Sequence, residues 1–281
     1  MTVRFESQIP PAEETRLIEH AQRGDSKAFG ALVEPWRRPL FGFVYRMVAH
    51  PADAEDLTQE VLTRALEALS KYKGEAPFKS WLFGIASHVC LDHLRAKSRW
   101  RFDAQLLSEQ EADSNAEKLD RVLGLMAQPD FRYEVREHVA FCFTCVGRSL
   151  DPEEQAALVL REVMGFSARE AAEAMKVSES VFRHRLSSAR KTMIGAFDGL
   201  CQLINKSGAC HQCSGLREAA PEANRGSSLT QITVRPGVAV TADSLLDARL
   251  SIVKDADLEE GTARTLHEMF FTGLTLQEEA S

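Results

Sequence analysis

Residues 53–69, DAEDLTQEVLTRALEAL, run into residues 71–101, KYKGEAPFKSWLFGIASHVCLDHLRAKSRWR, and the change of chemistry between the two decides how the chain is read. In the first segment Leu57, Val61, Ala65, Leu66 and Leu69 recur at helical spacing and are expected to form a buried side. Asp56, Gln59, Glu60 and Glu67 are left for a partner. The second segment holds seven Lys or Arg against Glu75 and Asp92, in a chain of formal net charge -7. Tyr72, Phe78, Trp81, Phe83 and Trp100 lie among those cations. Cations that track phosphates, with aromatic faces that stack on unpaired bases, are what a single-strand DNA surface requires. The same run also fits a core helix with a solvated basic face. The surrounding sequence separates the two readings.

Upstream, Leu17, Ile18, Ala21, Phe29, Leu32 and Val33 give one apolar stripe, and Leu40, Phe43, Val44 and Met47 give the next. Pro51-Ala-Asp53 ends one helix and starts another, with Asp53 as the expected N-cap. Residues 13–101 are therefore read as helix with short breaks. A second DNA-reading element follows in 151–197. Asp151-Pro152-Glu153-Glu154 is a helix start, and that helix ends at Gly165. Ser167-Ala-Arg-Glu170 is a capping box for a short helix, Lys176-Val177-Ser178 makes a turn, and a longer helix runs from Glu179 to about Phe197. Short helix, tight turn and basic helix make a helix-turn-helix. On its second helix Arg183, His184, Ser187, Ser188 and Lys191 recur at steps of three and four. Val181, Leu186 and Met193 are expected to face the core. The first turns suit a major groove, where Arg reads guanine edges, and Arg190 and Lys191 are better placed for phosphates.

The stretches DAEDLTQEVLTRAL, FKSWLFGIASHVCLDHLR and LREVMGFSAREAAEAMKVSESVFRHRLSSAR together resemble the extracytoplasmic-function class of bacterial sigma factors, in order and at the expected separation. The resemblance implies an all-α protein. Sigma domain 2 would span 13–101, a flexible acidic linker 102–130, and sigma domain 4 residues 131–214, with a C-terminal extension over 215–281. It implies a surface for the clamp coiled coil of core RNA polymerase at Asp53, Asp56, Gln59 and Glu60. Lys79, Ser80 and Trp81 fall in the strand-opening segment, and His88, Asp92 and Arg95 on the helix that reads the -10 element. Arg183, His184, Arg185, Ser187, Ser188, Arg190 and Lys191 form the -35 set. His88 departs from the family, whose members usually carry Asn there. The implied partners are core polymerase and promoter DNA, with an anti-sigma factor a further candidate, and the implied location is the cytoplasm.

The acidic segments fit this scheme. Asp103–Asp120 carries six acids and one Lys, and Glu222–Ser281 ten acids against five Arg or Lys. The first reads as a linker, as does PEANRGSSLTQ at 221–231. ITVRPGVAV has strand-like alternation about a Pro-Gly turn, and 258–276 fits an amphipathic helix, in an acidic extension expected to fold back on a basic DNA-reading face or to contact polymerase.

Six cysteines remain. Cys142-Phe-Thr-Cys145 precedes the helix-turn-helix and Cys210-His-Gln-Cys213 follows it, two pairs with the spacing of a tetrahedral thiolate site. A structural zinc on these four, with Cys201 or His211 as substitute, stands beside two other readings, a thiol pair that senses oxidation and buried packing. Cys90 reads as core. No nucleophile–base pair, phosphate loop or paired carboxylates emerge, so the chain is not read as an enzyme. The competing function is a metal- or redox-sensing helix-turn-helix repressor acting without polymerase, which leaves 53–101 unexplained. No apolar run approaches the ~20 residues of a membrane span.

Overall fold

Helix boundaries near the N-terminus are set by side chains that satisfy the free N–H groups of a first turn. The computed structural model describes residues 9–97, 99, 101–104, 106–107, 110, 114–255 and 265–266. Helix α1 (Pro11–Gln22) precedes α2 (Ser26–Val33), where the Asp25 carboxylate accepts from the N–H groups of Lys27 and Ala28. A 3-10 turn at Glu34–Trp36 leads into α3 (Arg37–Val48), ended by Ala49 in the left-handed region at φ 58°. Helix α4 (Pro51–Ala68) is capped by His50, whose Nδ1 accepts from the Asp53 N–H at 3.2 Å. This corrects the expected cap. Asp53 lies inside the first turn, where the helix dipole favours its charge.

Helix α5 (Phe78–Arg95) follows, then α6 (Ala116–Met126), α7 (Val135–Gly147) and α8 (Pro152–Leu158), which continues as a π-turn over Val159–Val163. Next come α9 (Ala168–Ala174), α10 (Glu179–Leu200), α11 (Gln212–Ala219) and α12 (Ala242–Asp255). The all-α expectation holds: among the described residues the only β features are isolated bridges, Tyr133–Arg225 and Cys201–Cys210. No described helix is long and apolar enough to cross a membrane.

The chain divides into two units. One comprises Met1–Lys97 with Pro152–Leu186, the other Ser98–Asp151 with Ser187–Ser281. The helix-turn-helix is divided between them: the part up to Leu186 falls in the first unit and the rest of its second helix in the second. In the first unit Phe83 of α5 is the hub of an aromatic core, with ring centroids 6.3 Å from Trp36, 5.6 Å from Phe43 and 5.2 Å from Phe166. Helix α9 lies on α5 at Gly84, where a Cβ would sit 3.1 Å from the Ala174 carbonyl oxygen. Only glycine permits that approach without a shift. Phe78 and Phe83, read as stacking faces, are core residues at 1% and 0% exposure. The expected position of Trp100 lies outside the described residues.

In the second unit α7 is nearly surrounded, and α11 and α12 pack against it. The acidic stretch is not a featureless linker. It holds α6, capped by the Asn115 side chain, with Val122 and Met126 buried. Nor is 221–231 one. Asn224 is buried and its amide donates to the Met126 and Gln128 carbonyls at 2.8 Å each, while the Ser227 hydroxyl donates to Glu134. Polar side chains that sequence composition assigns to solvent here tie the extension to α6 and α7 by satisfying carbonyls at a helix end. The ITVRPGVAV segment forms no strand. Ile232 bonds through its N–H to the Leu203 carbonyl at 2.7 Å, and the chain turns between Arg235 and Val238. The amphipathic helix expected at 258–276 lies outside the described residues except Leu266, which is buried.

His138 of α7 is a buried imidazole in this unit. Burial, with the Arg249 charge behind it, lowers its pKa to about 4 despite a hydrogen bond with Gln212. The folded value lies below the unfolded one near 6.5, so its contribution to stability is complete above about pH 6.5 and lost as pH falls toward 4. Urea unfolding of the second unit is expected to lose up to about 3 kcal/mol over that window, at ~1.4 kcal/mol per pKa unit. His138→Leu should flatten this dependence, and an unaltered slope in that variant would assign it to other groups.

Candidate nucleic-acid interface

The outer face of α4 offers Asp56 and Gln59, both exposed, and Glu60, which pairs with Arg64 one turn on. Asp53 is less open. Its carboxylate lies 3.5 Å from His50 Nδ1, 3.3 Å from His93 Nε2 and 3.8 Å from Lys97 Nζ, so it ties α4 to the end of α5. Leu66, expected on the buried side, is 47% exposed, and Leu62 is buried instead. A helix turns 100° per residue, so Leu62 follows the stripe of Leu57, Val61 and Ala65 while Leu66 passes out among the acids.

The basic stretch presents its groups unevenly. Trp81 is half-buried and clustered with Tyr72 and Phe78 at ring distances of 5.1 and 5.5 Å, and the Tyr72 hydroxyl donates to the Ala76 carbonyl at 2.7 Å. Lys79 lays its ammonium 4.1 Å from the Phe166 ring centroid. Ser80, expected to meet DNA, is 1% exposed, its hydroxyl buried without a hydrogen-bond partner among the described residues. The phase of α5 explains this. Phe78, Leu82 and Phe83 set the inner face, and Ser80 points between them and the next turn. His88 is half-buried with Nδ1 2.6 Å from the Gly84 carbonyl. Asp92 and Arg95 are exposed and paired at 3.0 Å, and Arg95 also reaches Glu153 at 3.2 Å. Trp81, Ile85, His88 and Asp92 line one wall of a groove of about 480 Å³, closed opposite by Arg64 and by Glu173 and Lys176 near the helix-turn-helix turn. The last two belong to a segment 80 residues distant. No sequence periodicity signals that they flank the α5 face.

The helix-turn-helix has the local chemistry that its sequence implies. Ser167 and Glu170 form the complete capping box, and Lys176 takes the left-handed conformation at φ 53° in the turn. On α10 Phe182, Ala189, Met193 and Phe197 form the inner stripe. Val181, expected in the core, is 43% exposed, because the buried face runs through 182 at steps of seven and four. Leu186 is half-buried. That phase leaves Arg183, His184, Ser187 and Lys191 exposed, with Arg185 and Ser188 at the margins. Arg183 is paired with Glu179. Arg190 is turned toward the extension, bonding Asp247 at 2.9 Å and Asp243 at 3.3 Å. The extension therefore engages one cation of the basic helix.

Sigma-70 region 2 matches residues 32–100 and sigma-70 region 4 matches 142–193. The chain carries two regions of the sigma-70 family in sequence order. It is 29% identical over 188 residues to the RNA polymerase sigma-H factor of Pseudomonas aeruginosa, covering 67% of this chain and 95% of that one. It is 33% identical over 182 residues to the ECF RNA polymerase sigma factor SigG of Mycobacterium tuberculosis, covering 61% of this chain and about half, 48%, of that longer protein. It is 28% identical over 181 residues to the ECF RNA polymerase sigma-E factor of Escherichia coli, covering 63% and 90%. Among solved structures, CnrH in complex with the cytosolic domain of CnrY is similar at 21% identity and a TM-score of 0.46, covering 66% of this chain and 97% of that chain.

The cysteines of this chain are all free thiols. Cys90 is core, its thiol driven up by burial. Burial pushes Cys142 up to about 12 and raises Cys213 well above its usual range, and each feels Arg249, Cys201 and Cys210. Cys145 faces Arg148 and has only Cys142 among its thiol influences. The group that comes together is therefore Cys142, Cys201, Cys210 and Cys213, with Cys201 where sequence spacing favoured Cys145. His211 is exposed at the start of α11. Among the described residues no three His, Cys, Asp or Glu are gathered as a metal site. Arg249, which sequence reasoning missed, stands fully buried among the thiols, Nη1 3.2 Å from Cys201 Sγ and its guanidinium 3.8 Å from the Phe197 ring centroid. Its one available signal was a cation at an inward position of the stripe Leu246, Leu250 and Val253.

Proposed function

We propose that this chain is a promoter-specificity subunit of bacterial RNA polymerase, a regulator rather than an enzyme, acting in the cytoplasm. Asp56, Gln59 and Glu60 dock on core polymerase, with Asp53 as a brace between α4 and α5. Lys79 and Trp81 open the duplex, and His88, Asp92 and Arg95 read the -10 element. Arg183, His184 and Ser187 read the -35 element, with Lys191 on phosphate. The observation that carries the reading is the pair of family matches in chain order, 32–100 and then 142–193. A repressor that used only the helix-turn-helix would leave the first match without a task. An anti-sigma factor remains a candidate partner.

Trp81 is suited to strand opening because it offers a half-exposed indole clustered with Tyr72 and Phe78, and stacking a freed base on an aromatic contributes about 1–3 kcal/mol. Trp81→Ala is expected to retain binding to core polymerase and to reduce open-complex formation on a matched promoter by about ten- to a hundredfold. The test is co-purification with core polymerase, then run-off transcription from a genomic fragment pool and permanganate footprinting. Failure to bind core, with operator footprinting by the protein alone, would favour the repressor. Loss of core binding in Trp81→Ala with normal melting would reassign the segment.

A further inference from the structure

A thiol pair stands outside everything the sigma reading uses. Cys201 and Cys210 are bridge partners, with the Cys210 N–H donating to the Leu200 carbonyl at 2.8 Å and the Gln202 N–H to the Cys210 carbonyl at 3.4 Å. Such pairing sets two Cα atoms about 5 Å apart with their side chains on one face, inside the range a disulfide spans. The intervening turn is tightly closed: a Cβ at Gly208 would fall 2.6 Å from the Cys201 carbonyl carbon. Cys210 is half-exposed, whereas Cys201 is buried.

A second observation sets this pair apart from simple packing. The buried guanidinium of Arg249 donates to the Cys201 sulfur, and its Nε and Nη2 have no acceptor among the described residues. A buried cation costs several kcal/mol unless paired, and a core of small apolar thiols gives no reason to place one there. Arg249 belongs to α12, so this contact links the thiol pair to the extension. Its acceptor is the sulfur that a disulfide would consume.

We propose that Cys201 and Cys210 are a peroxide-oxidisable pair whose conversion to a disulfide loosens the hold of Arg249 on the thiol cluster and so releases α12. In the first step the Cys210 sulfur attacks the O–O bond of a hydroperoxide. An S–O bond forms, the O–O bond breaks, and the thiol proton leaves with the departing oxygen as water or an alcohol. In the second step the Cys201 sulfur displaces the sulfenic oxygen. The S–S bond forms, the S–O bond breaks, and the Cys201 proton leaves with the hydroxide as water. Two thiols are oxidised by two electrons and one peroxide is reduced. A disulfide sulfur is a poorer acceptor than the thiol it replaces, which leaves the buried guanidinium only its hydrogen bond with Cys142.

The experiment uses the full chain, purified anaerobically, its metal content measured, and then exposed to stoichiometric hydrogen peroxide. The wild-type mass is expected to fall by two hydrogens. After trypsin, which cuts at Lys206 between the two cysteines, their peptides should stay linked until reduced. Proteolysis within 228–241 is expected to quicken about tenfold on oxidation and to revert with reductant, the fold-change for losing one charge-assisted hydrogen bond. Cys201→Ser and Cys210→Ser should each abolish the link, and Cys145→Ser should keep it. A link that maps to another pair, six thiols that survive peroxide, or a metal ion bound one per chain and shielding the cysteines would each overturn the proposal.

Discussion

Arg249→Ala is expected to destabilise the second unit by about 3 kcal/mol or more, whereas Arg249→Met should cost about 1 kcal/mol or less. Alanine empties a site that is 0% exposed and removes the face-on contact with Phe197 at 3.8 Å, leaving a large cavity beside Phe143 and Phe197. Truncations of that size in a closed core cost roughly 3–5 kcal/mol. Methionine keeps most of the aliphatic stem and is polarisable enough to fill against sulfur and aromatic neighbours. It loses the hydrogen bonding to Cys201 and Cys142 but also relieves the burial of a cation with two unpartnered nitrogens, and these effects nearly offset. Arg249 is held above its ordinary pKa: burial opposes the charge, but Cys201, Cys142 and Cys213 more than compensate. Urea unfolding followed by far-UV circular dichroism separates the two variants. If methionine costs as much as alanine, the guanidinium–thiol contact is itself strongly stabilising and the balance of burial against pairing drawn here is wrong.

Gln155→Leu is the second large effect expected, about 2–4 kcal/mol on the first unit. Gln155 of α8 is 1% exposed, and its amide donates to the carbonyls of Arg46 at 2.8 Å and Met47 at 3.0 Å. Those carbonyls belong to the last turn of α3, which has no helical N–H left to bond and ends at left-handed Ala49. A side chain more than a hundred residues away is therefore the C-terminal cap of α3. Leucine is similar in volume, so the cost is that of stranding two buried acceptors at roughly 1–3 kcal/mol each. Gln155→Glu should be worse at neutral pH, because a buried carboxylate would face two carbonyl oxygens. Chemical unfolding of the three proteins at pH 7 gives the order, and a Leu variant as stable as wild type would mean that water replaces the amide.

Both effects show where sequence reasoning reaches its limit. The capping box at Ser167 and Glu170, the turn at Lys176 and the apolar stripe through Leu40, Phe43, Val44 and Met47 were legible because each depends on residues three or four apart. Where the phase of a helix was judged from a few apolar residues, single positions slipped, as Leu66 and Val181 did. A surface leucine or valine is common and does not by itself mark an inner face. The segments read as linkers failed for a different reason. Asn115, Asn224 and Ser227 look solvent-facing by composition, but Asn115 caps a helix, Asn224 bridges two backbone carbonyls and the Ser227 hydroxyl donates to the Glu134 carboxylate.

The two sigma-70 regions, the all-α class, the helix starts and the exposed cations at the head of α10 were determined by sequence alone, since local periodicity, capping and motif order specify them. Tertiary structure decided the rest. It set α9 against α5 through the bare backbone of Gly84, placed Cys201 rather than Cys145 with the other thiols, and brought Arg249 into their midst. These outcomes join residues tens of positions apart. Loop-closure entropy makes such pairings nearly independent of the intervening sequence, so only the complementarity of packed surfaces selects among them.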